Sequence, residues 1–268
     1  MDEGQVFELK ALKNKKALVG GSSGGIGKAI AEQLAKSGAS VTLMSRSEDK
    51  LKNIVSNLST DQGQTHQYLV VDFTDFEGYK EIISTYFKNN SVDILVNNTQ
   101  GPSAGNALEK NVPDYQEAFD LLFKTVVLTT ELALKQMRKN KFGRIINVAS
   151  VSVKEPLNYL ALSNTIRAAV VTWAKSLATD AGKDQITVNS ILTGYFDTDR
   201  IAQLNAKKAE QMGIPQEEVR KEMESKVPLQ RIGDPAEYGY LVAFLASEKA
   251  AYITGTQIPI DGGLLKSL

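Results

Sequence analysis

Three glycines near the amino terminus have a spacing suited to binding phosphate. Gly21, Gly25 and Gly27 follow a short apolar run and directly precede a segment of helical periodicity. Glycine permits a tight turn and lets the backbone approach a pyrophosphate, and the free N–H groups of a helix amino terminus stabilise the phosphate charge. The stretch therefore predicts a dinucleotide-binding turn rather than a flexible linker. Its candidate contacts, which include two serine hydroxyls, are Gly21, Ser22, Ser23, Gly25, Ile26 and Gly27.

The end of the second predicted strand indicates which dinucleotide binds. In dinucleotide-binding folds this place contacts the adenosine ribose, and here it reads Ser45-Arg46. A carboxylate would accept hydrogen bonds from both ribose hydroxyls and repel a 2′-phosphate, whereas an arginine offers that phosphate several N–H donors. Arg46 therefore favours NADP(H), and NAD(H) stays open as the second choice. The alternative is that Arg46 is a solvated surface residue.

The elements that would position these residues follow from the apolar pattern. Seven runs rich in Val, Ile and Leu predict strands at 16–20, 40–45, 67–72, 92–98, 143–150, 186–192 and 252–261. Helical patterns alternate with them and include 25–38, 114–140 and 163–182. This order predicts an α/β fold: a single-domain, Rossmann-type, doubly wound parallel sheet of about seven strands with helices on both faces. Ligands are expected beyond the carboxyl ends of the strands.

Two segments lie outside this alternation within the predicted domain 1–268. Residues 1–12 are predicted to be an amino-terminal extension. Residues from about 199 to 227 are polar and helical but interrupted by Gly213 and Pro215, and we interpret them as an inserted lid.

Composition limits the classes of partner. Of 268 residues, 42% are hydrophobic, and basic and acidic residues number 31 each, so there is no electrostatic reason to expect nucleic acid or an anionic membrane as partner. A small-molecule ligand is expected instead. The absence of cysteine excludes disulfides and thiolate metal sites, and no metal site is predicted. A cytoplasmic location is expected because the first residues lack a signal-peptide pattern. The only histidine, His66, is interpreted as a surface residue.

Several motifs, in their order along the chain, resemble those of a known family. They are VGGSSGGIG (19–27), VVDFTD (70–75), DILVNN (93–98), ITVNSILTGYFDTD (186–199) and the carboxyl-terminal block 228–263. From about Lys13 to Gly263 the chain resembles the short-chain dehydrogenase/reductase family, and in general pattern the 3-oxoacyl-[acyl-carrier-protein] reductases. The resemblance implies further cofactor contacts at Asp72, Phe73, Asn98, Gly194 and Thr198. It also implies a homotetramer built through the helices at 114–140 and 163–182.

The resemblance implies four catalytic side chains: a tyrosine that donates a proton, a lysine that lowers the tyrosine pKa and binds ribose, a serine that orients the carbonyl, and an asparagine that holds a water. In this sequence Ser150 stands at the serine place, but Ser163 replaces the tyrosine, Arg167 the lysine and Leu122 the asparagine. Arg167 can still donate to ribose hydroxyls, but its very high pKa prevents it from passing protons. Ser163 is a much weaker acid than a phenol.

Two tyrosines are alternative proton donors. Tyr159 would form one stripe with Ser163 and Arg167 if their helix began early, and Tyr195 follows Gly194. Two functions remain open. The first is an NADP(H)-dependent oxidoreductase that acts on a carbonyl or alcohol, with a 3-oxoacyl thioester as one candidate substrate. The second is a nucleotide-binding family member with lost or strongly reduced catalysis that acts as a sensor or scaffold. We favour the first, because the predicted cofactor contacts are retained.

Overall fold

A sheet of seven strands forms the centre of the protein, whose structure is a computed structural model that describes residues 11–267. The strands in chain order are β1 (Lys16–Gly20), β2 (Ser40–Ser45), β3 (Gln67–Val70), β4 (Ile94–Asn97), β5 (Gly143–Val148), β6 (Ile186–Thr193) and β7 (Gln257–Ile260). All neighbours pair in parallel, in the spatial order β3-β2-β1-β4-β5-β6-β7. The predicted doubly wound parallel sheet is confirmed.

Nine α-helices within the described residues cover both faces of this sheet. They are α1 (Gly25–Lys36), α2 (Glu48–Asn57), α3 (Phe76–Asn89), α4 (Val112–Phe119), α5 (Thr125–Asn140), α6 (Ala161–Ala181), α7 (Asp199–Met212), α8 (Gln216–Ser225) and α9 (Pro235–Ala246). Successive strand residues point to opposite faces, so Leu18 and Val19 of β1 belong to different hydrophobic clusters. The cluster of Val19 contains residues of α1 and α9, and that of Leu18 contains residues of α3, α5 and α6.

The strand order reverses direction between β1 and β4, which creates a crevice at the carboxyl ends of the strands. β1 ends at Gly20 and β4 ends at Asn97. In open parallel sheets, ligands bind outside the carboxyl ends at such a reversal. The glycine turn that follows β1 and the residues that follow β4 therefore border the same crevice.

The helix predicted over 114–140 is not a single regular helix. α4 and α5 are joined by a π-helical turn at Asp120–Lys124, which contains the buried side chain of Leu122. The hydroxyl of Thr125 donates to the main-chain oxygen of Leu121 at 2.6 Å, four residues earlier. Such turns free main-chain groups from the regular helix pattern and occur frequently at functional sites. Leu122 of this turn lines a small cavity together with Asn97 at the end of β4.

The polar stretch 199–227 forms two helices that pack on each other. Thr198 caps α7 by accepting the N–H of Ile201 at its side-chain oxygen, 3.4 Å away. Gly213, with φ of 65°, ends α7 in the left-handed conformation that glycine adopts without strain. Pro215 then precedes α8. None of the helices within residues 11–267 combines the length and apolar character needed to span a bilayer.

His66 is not the surface residue that the sequence indicated. Its ring is half-buried and engaged at both nitrogens: Nδ1 accepts the N–H of Val41 at 3.1 Å, and Nε2 lies 2.8 Å from the main-chain oxygen of Ser59. Since Nδ1 accepts, Nε2 is the nitrogen that carries the proton and donates. His66 therefore ties the start of β2 to the segment before β3, far from the crevice.

Candidate active site

The glycine turn between β1 and α1 leaves no room for a side chain at Gly20 or Gly27. A Cβ on Gly20 would lie 2.2 Å from the main-chain oxygen of Asn98, and one on Gly27 would lie 2.2 Å from that of Gly21. Gly21 and Gly25 have φ of 56° and 51°, in the left-handed region that favours glycine. The Asn98 amide donates to the oxygen of Gly20 at 3.0 Å and holds the turn against the end of β4. The result is a bare main-chain cradle at the amino terminus of α1, which suits a pyrophosphate.

The expectation that Ser22 offers its hydroxyl to a phosphate is wrong. Ser22 is fully buried. Its Oγ lies 3.1 Å from the oxygen of Val19 and 3.4 Å from that of Met44, and it accepts the N–H of Met44 at 2.9 Å. The side chain therefore ties the turn to β2. Ser23 and Ile26 in the same turn are half-buried, and Ile26 packs against the core.

Arg46 and Asp72 stand together beyond the ends of β2 and β3. Arg46 is exposed, and its Nη1 lies 4.0 Å from Asp72 Oδ2. Oδ1 of Asp72 accepts both the N–H and the hydroxyl of Thr74, at 2.9 and 2.6 Å. These Thr74 hydrogen bonds are the main cause that lowers the pKa of Asp72, and the Arg46 charge acts in the same direction. Phe73 is buried against Tyr79, with ring centroids 5.1 Å apart, so its side chain serves the core and only its main chain remains for a ligand.

Gly194 and Thr198 bring the segment after β6 up to the glycine turn. The N–H of Gly194 donates to the oxygen of Ile260 at 3.0 Å, and a Cβ there would lie 2.6 Å from the Cα of Asp261. Close packing against β7 thus explains why glycine is needed at 194. The methyl group of Thr198 would lie 3.1 Å from a Cβ on Gly25. Thr198, predicted to contact the nicotinamide end, and the glycine turn, predicted to bind the pyrophosphate, therefore border the same crevice.

Ser163 and Arg167 lie one turn apart on α6 and are hydrogen-bonded to each other. Nε of Arg167 donates to Oγ of Ser163 at 3.3 Å, and its Nη1 donates to the oxygen of Val148 at 2.6 Å, at the end of β5. Burial lowers the pKa of the Arg167 guanidinium, with the phenol of Tyr238 acting in the opposite direction, but an arginine remains charged at neutral pH. Because Ser163 accepts from Arg167, its own proton is free to be donated elsewhere.

Ser150 also accepts one hydrogen bond, in this case from a nearby main-chain N–H. It follows β5 and caps the short 3-10 turn at Val151–Val153, where its Oγ accepts the N–H of Ser152 at 3.1 Å. A hydroxyl that accepts one hydrogen bond still has its proton to donate. Both candidate serines can thus act as hydrogen-bond donors to a third group.

Tyr159 does not form a helical stripe with Ser163 and Arg167. α6 begins only at Ala161, after Leu160 as its capping residue, so Tyr159 lies outside the helix and is half-exposed. Partial burial is the main cause that raises the pKa of Tyr159, and the nearby phenol of Tyr195 adds to it. A raised pKa makes a phenol a poorer acid at neutral pH. The alternative role of Tyr159 as a displaced acid thus loses the arrangement on which it rested.

Hydrogen bonds fix the Tyr159 segment to the loop after β4. The N–H of Gly105 donates to the oxygen of Tyr159 at 2.8 Å, and the N–H of Ala161 donates to the oxygen of Gly105 at 3.1 Å. Together they form a short parallel bridge between Gly105 and Leu160. The loop that follows β4 and the segment that leads into α6 are therefore joined through their main chains.

Two asparagines that sequence reasoning did not select lie beneath Arg167. Asn97 at the end of β4 donates from Nδ2 to Oδ1 of Asn147 in β5 at 2.9 Å, and both are buried. A small cavity beside them has a lining that includes Asn97, Thr99, Leu122, Asn147 and Arg167. The available signal was an asparagine in each of two mostly apolar strands. A buried polar residue requires a partner, so its presence in such a strand indicates a specific local role.

Comparison with known proteins identifies a matching family and similar reductases. Residues 21–265 match the family described as enoyl-(acyl carrier protein) reductase. The 3-oxoacyl-[acyl-carrier-protein] reductase FabG of Aquifex aeolicus is 31% identical over 264 residues, which cover 96% of this chain and 100% of that protein. The oxidoreductase UcpA of Salmonella typhimurium is 36% identical over 261 residues, covering 94% and 95% respectively.

A solved structure of similar architecture carries both a cofactor and a substrate. The L-sorbose reductase of Gluconobacter frateurii, complexed with NADPH and L-sorbose, has a TM-score of 0.90 to this chain at 30% sequence identity, with coverage of 97% of this chain and 100% of the other. The family match extends from Gly21 of the glycine turn over β2 to β7 and the segment after β6. The chain therefore belongs to the short-chain dehydrogenase/reductase family, a family of oxidoreductases.

Proposed function

We propose that this protein is an NADP(H)-dependent oxidoreductase that transfers hydride between the cofactor and a carbonyl or alcohol substrate. The observation that carries the proposal is the pair of serine hydroxyls, Ser150 and Ser163, each with an acceptor position filled and a proton left to donate. The charge of Arg167 lies directly behind one of them. Such a set suits the stabilisation of negative charge on a carbonyl oxygen during reduction. A 3-oxoacyl thioester is one candidate substrate, since a relative reduces that class.

The cofactor site proposed for this chain fits a phosphorylated dinucleotide. The cradle made by Gly21, Gly25 and Gly27 suits the pyrophosphate, since only a main chain free of Cβ atoms allows close approach. The further contacts that we propose are Arg46, Asp72, Asn98, Arg167, Gly194 and Thr198, with the main chain of Phe73. When bound, the nicotinamide supplies or accepts the hydride. The NADPH in the L-sorbose reductase complex supports NADP(H) over NAD(H).

In the mechanism that we propose, Ser150 and Ser163 donate hydrogen bonds to the oxygen of the reacting carbonyl. Arg167 donates to Ser163 and, through its charge, makes the serine proton a better donor. The two hydroxyls, with the guanidinium behind Ser163, stabilise the developing alkoxide until solvent supplies the proton, either directly or through Ser163, which takes a proton back from solvent. Preorganised donors of this kind contribute about 10²–10³ in rate each, so turnover survives without a tyrosine acid.

The alternative function is a nucleotide-binding protein with lost or strongly reduced catalysis, acting as a sensor or scaffold. It is favoured by the buried apolar side chain of Leu122 at the place where the family resemblance implies a water-holding asparagine. Arg167 cannot pass protons, so a proton relay of the kind that the resemblance implies is interrupted at two positions, Leu122 and Arg167. The two functions share the cofactor site and differ only in turnover.

We also propose the outer organisation of this single catalytic domain. The stretch 199–227, which directly follows Thr198 beside the glycine turn, serves as a lid over the substrate. The helices at 114–140 and 163–182 build a homotetramer, as the resemblance implies. The proposed location is cytoplasmic, and the proposed ligands are small molecules rather than nucleic acid or membrane.

Removal of the Arg46 guanidinium tests the cofactor choice. Arg46→Ala is expected to weaken NADPH binding by about 10–150-fold, because a hydrogen bond to a charged group contributes about 1.5–3 kcal/mol. NADH binding is expected to change by less than about threefold, since NADH has no 2′-phosphate. Fluorescence titration with both dinucleotides measures this. Arg231→Ala removes a comparably exposed guanidinium, paired with Glu237, and serves as the control. Equal losses for both dinucleotides would show that Arg46 does not contact the 2′-phosphate.

Three variants identify the donor to the carbonyl. Ser163→Ala and Ser150→Ala are each expected to lower kcat about 10²-fold without changing the Kd of NADPH, because each removes a donor to the developing alkoxide. Tyr159→Phe is expected to change kcat by less than about threefold. Turnover of a panel of carbonyl compounds with NADPH measures these effects. Loss of turnover in Tyr159→Phe but not in Ser163→Ala would assign the role to Tyr159. Tight NADPH binding without turnover in either direction would favour the sensor.

A further inference from the structure

Two lysines of the stretch 199–227 share a single carboxylate. Nζ of Lys208 in α7 lies 2.7 Å from Oε2 of Glu222 in α8, and Nζ of Lys226, directly after α8, lies 2.6 Å from Oε1 of the same side chain. The hydrogen bonds from Lys208 and Lys226 lower the pKa of Glu222 to about 2, so Glu222 is ionised at neutral pH. The two ammonium groups and the one carboxylate therefore leave one net positive charge.

This lysine pair, Lys208 and Lys226, lies near two phenols of the candidate active site. Burial is the main cause that raises the pKa of Tyr159, and the charges of Lys208 and Lys226 act on that phenol in the opposite direction. Lys226 interacts with the phenol of Tyr195 as well as with that of Tyr159. Charge interactions in water at 0.1 M salt extend over only about 10 Å. The lysine pair and the two phenols therefore form one cluster.

The two phenols connect this cluster to the proposed reaction site. Tyr159 precedes Ser163 by four residues, so their Cα atoms are at most about 14 Å apart. Tyr195 directly follows Gly194, and its main-chain oxygen accepts the N–H of Gly233 at 2.9 Å, which fixes it at the end of β6. A single small molecule can therefore contact Ser163 with one end and the lysine pair with the other.

We infer that the lysine pair binds the carboxylate of an oxo acid whose carbonyl oxygen contacts Ser150 and Ser163, or of the corresponding hydroxy acid. Each ammonium has three N–H donors and uses one on Glu222, so donors remain for a ligand. One carboxylate neutralises the single net charge of the group, whereas a phosphate dianion would exceed it. The inference rests on the proposed oxidoreductase function and names the substrate class of that same site.

Matched pairs of ketones test this inference in the unmodified protein. The acids are 4-oxopentanoate, 5-oxohexanoate and 6-oxoheptanoate, and each is compared with its own methyl ester in reduction by NADPH. For at least one chain length, kcat/KM of the acid is expected to exceed that of the ester by about 10-fold, mainly through KM, because the ester lacks the charge that the ammonium groups bind. Equal kcat/KM values at every chain length would overturn the inference and leave the oxidoreductase function intact.

Two substitutions are expected to act in opposite directions on the acids only. Lys226→Met is expected to remove most of the roughly 10-fold preference, because Lys208 and Glu222 then neutralise each other. Glu222→Gln leaves both ammonium groups without their carboxylate and is expected to lower the KM of the acids about threefold. Lys221→Met in α8 breaks the ion pair with Glu217 and serves as the control with an unchanged preference. A merely structural ion-pair network predicts instead that Glu222→Gln weakens acids and esters alike, and that result would overturn the inference.

Isothermal titration calorimetry separates this inference from the proposed function. Absence of turnover in both ketone series would contradict the oxidoreductase function, and binding to the protein–NADPH complex then decides the carboxylate site. A Kd for 5-oxohexanoate about 10-fold below that of its methyl ester, with the difference lost in Lys226→Met, would support the site. Equal Kd values for the acid and the ester, or no binding of either, would overturn it.

Discussion

The double substitution Ser163→Tyr, Arg167→Lys is expected to raise the kcat of carbonyl reduction by about 10²–10⁴-fold, the contribution typical of a positioned general acid. Ser163 lies next to Arg167 on α6, so a phenol and an ammonium would be one helical turn apart. The ammonium favours the phenolate and lowers the phenol pKa toward neutrality, which makes the phenol an effective proton donor. Steady-state kinetics with NADPH and a carbonyl panel measure the gain.

The two single variants separate the effect of a phenolic acid on kcat from the effect of the positive charge. Arg167→Lys alone is expected to change kcat by less than about tenfold, because positive charge is kept and no acid is added. Ser163→Tyr alone is expected to give part of the gain, since the guanidinium also lowers a phenol pKa. Adding Leu122→Asn to the double variant tests whether the water-holding place contributes further. A folded double variant that binds NADPH as tightly as the unmodified protein but turns over no faster would contradict the proposed positions of these residues.

Gly27→Ala is expected to destabilise the protein by about 3 kcal/mol and to weaken dinucleotide binding by about 10²-fold or more. The added Cβ would lie 2.2 Å from the main-chain oxygen of Gly21, a distance that no rotamer change relieves. The turn must therefore open, which moves the amino terminus of α1 away from the place of the pyrophosphate. Denaturant unfolding and NADPH titration measure the two effects.

Gly24 offers a matched control three residues earlier in the same turn. Its φ of 176° is extended, and a Cβ there would meet nothing within 4 Å. Gly24→Ala is therefore expected to leave the free energy of unfolding within about 0.5 kcal/mol of the original value, as is usual for a surface substitution. Comparable damage from both substitutions would show that the loss in Gly27→Ala reflects general loop stiffening rather than the contact with Gly21.

The sequence predicts well those elements that depend on neighbouring residues or on the periodic spacing of apolar residues. All seven strands and the long helices follow from apolar spacing, and the turn at 21–27 follows from glycine between a strand and a helix. Helix starts are less certain. The start of α6 at Ala161 depends on the bridge between Gly105 and Leu160, which local sequence around Tyr159 does not reveal.

The contacts that decide side-chain roles join residues distant in sequence. Ser22 looked like a phosphate ligand, but its hydroxyl is used by Met44 of the neighbouring strand. His66 looked exposed, but it binds Val41 and Ser59. The π-helical turn that contains Leu122 interrupts the long helix although Asp120–Lys124 contains no glycine or proline, so local sequence did not reveal it. For Ser22 and His66, the partners Met44 and Val41 in β2 are brought near only by the finished sheet.

The pairing of Gly105 with Leu160 makes two stretches that are far apart in the sequence depend on each other. The loop after β4 and the residues leading into α6 hold each other through main-chain hydrogen bonds, so their lengths and shapes must agree. A laboratory chimera that imports one stretch from a relative without the other would break this junction. Exchanging both together preserves it, so an exchange between relatives must carry the two stretches as a pair.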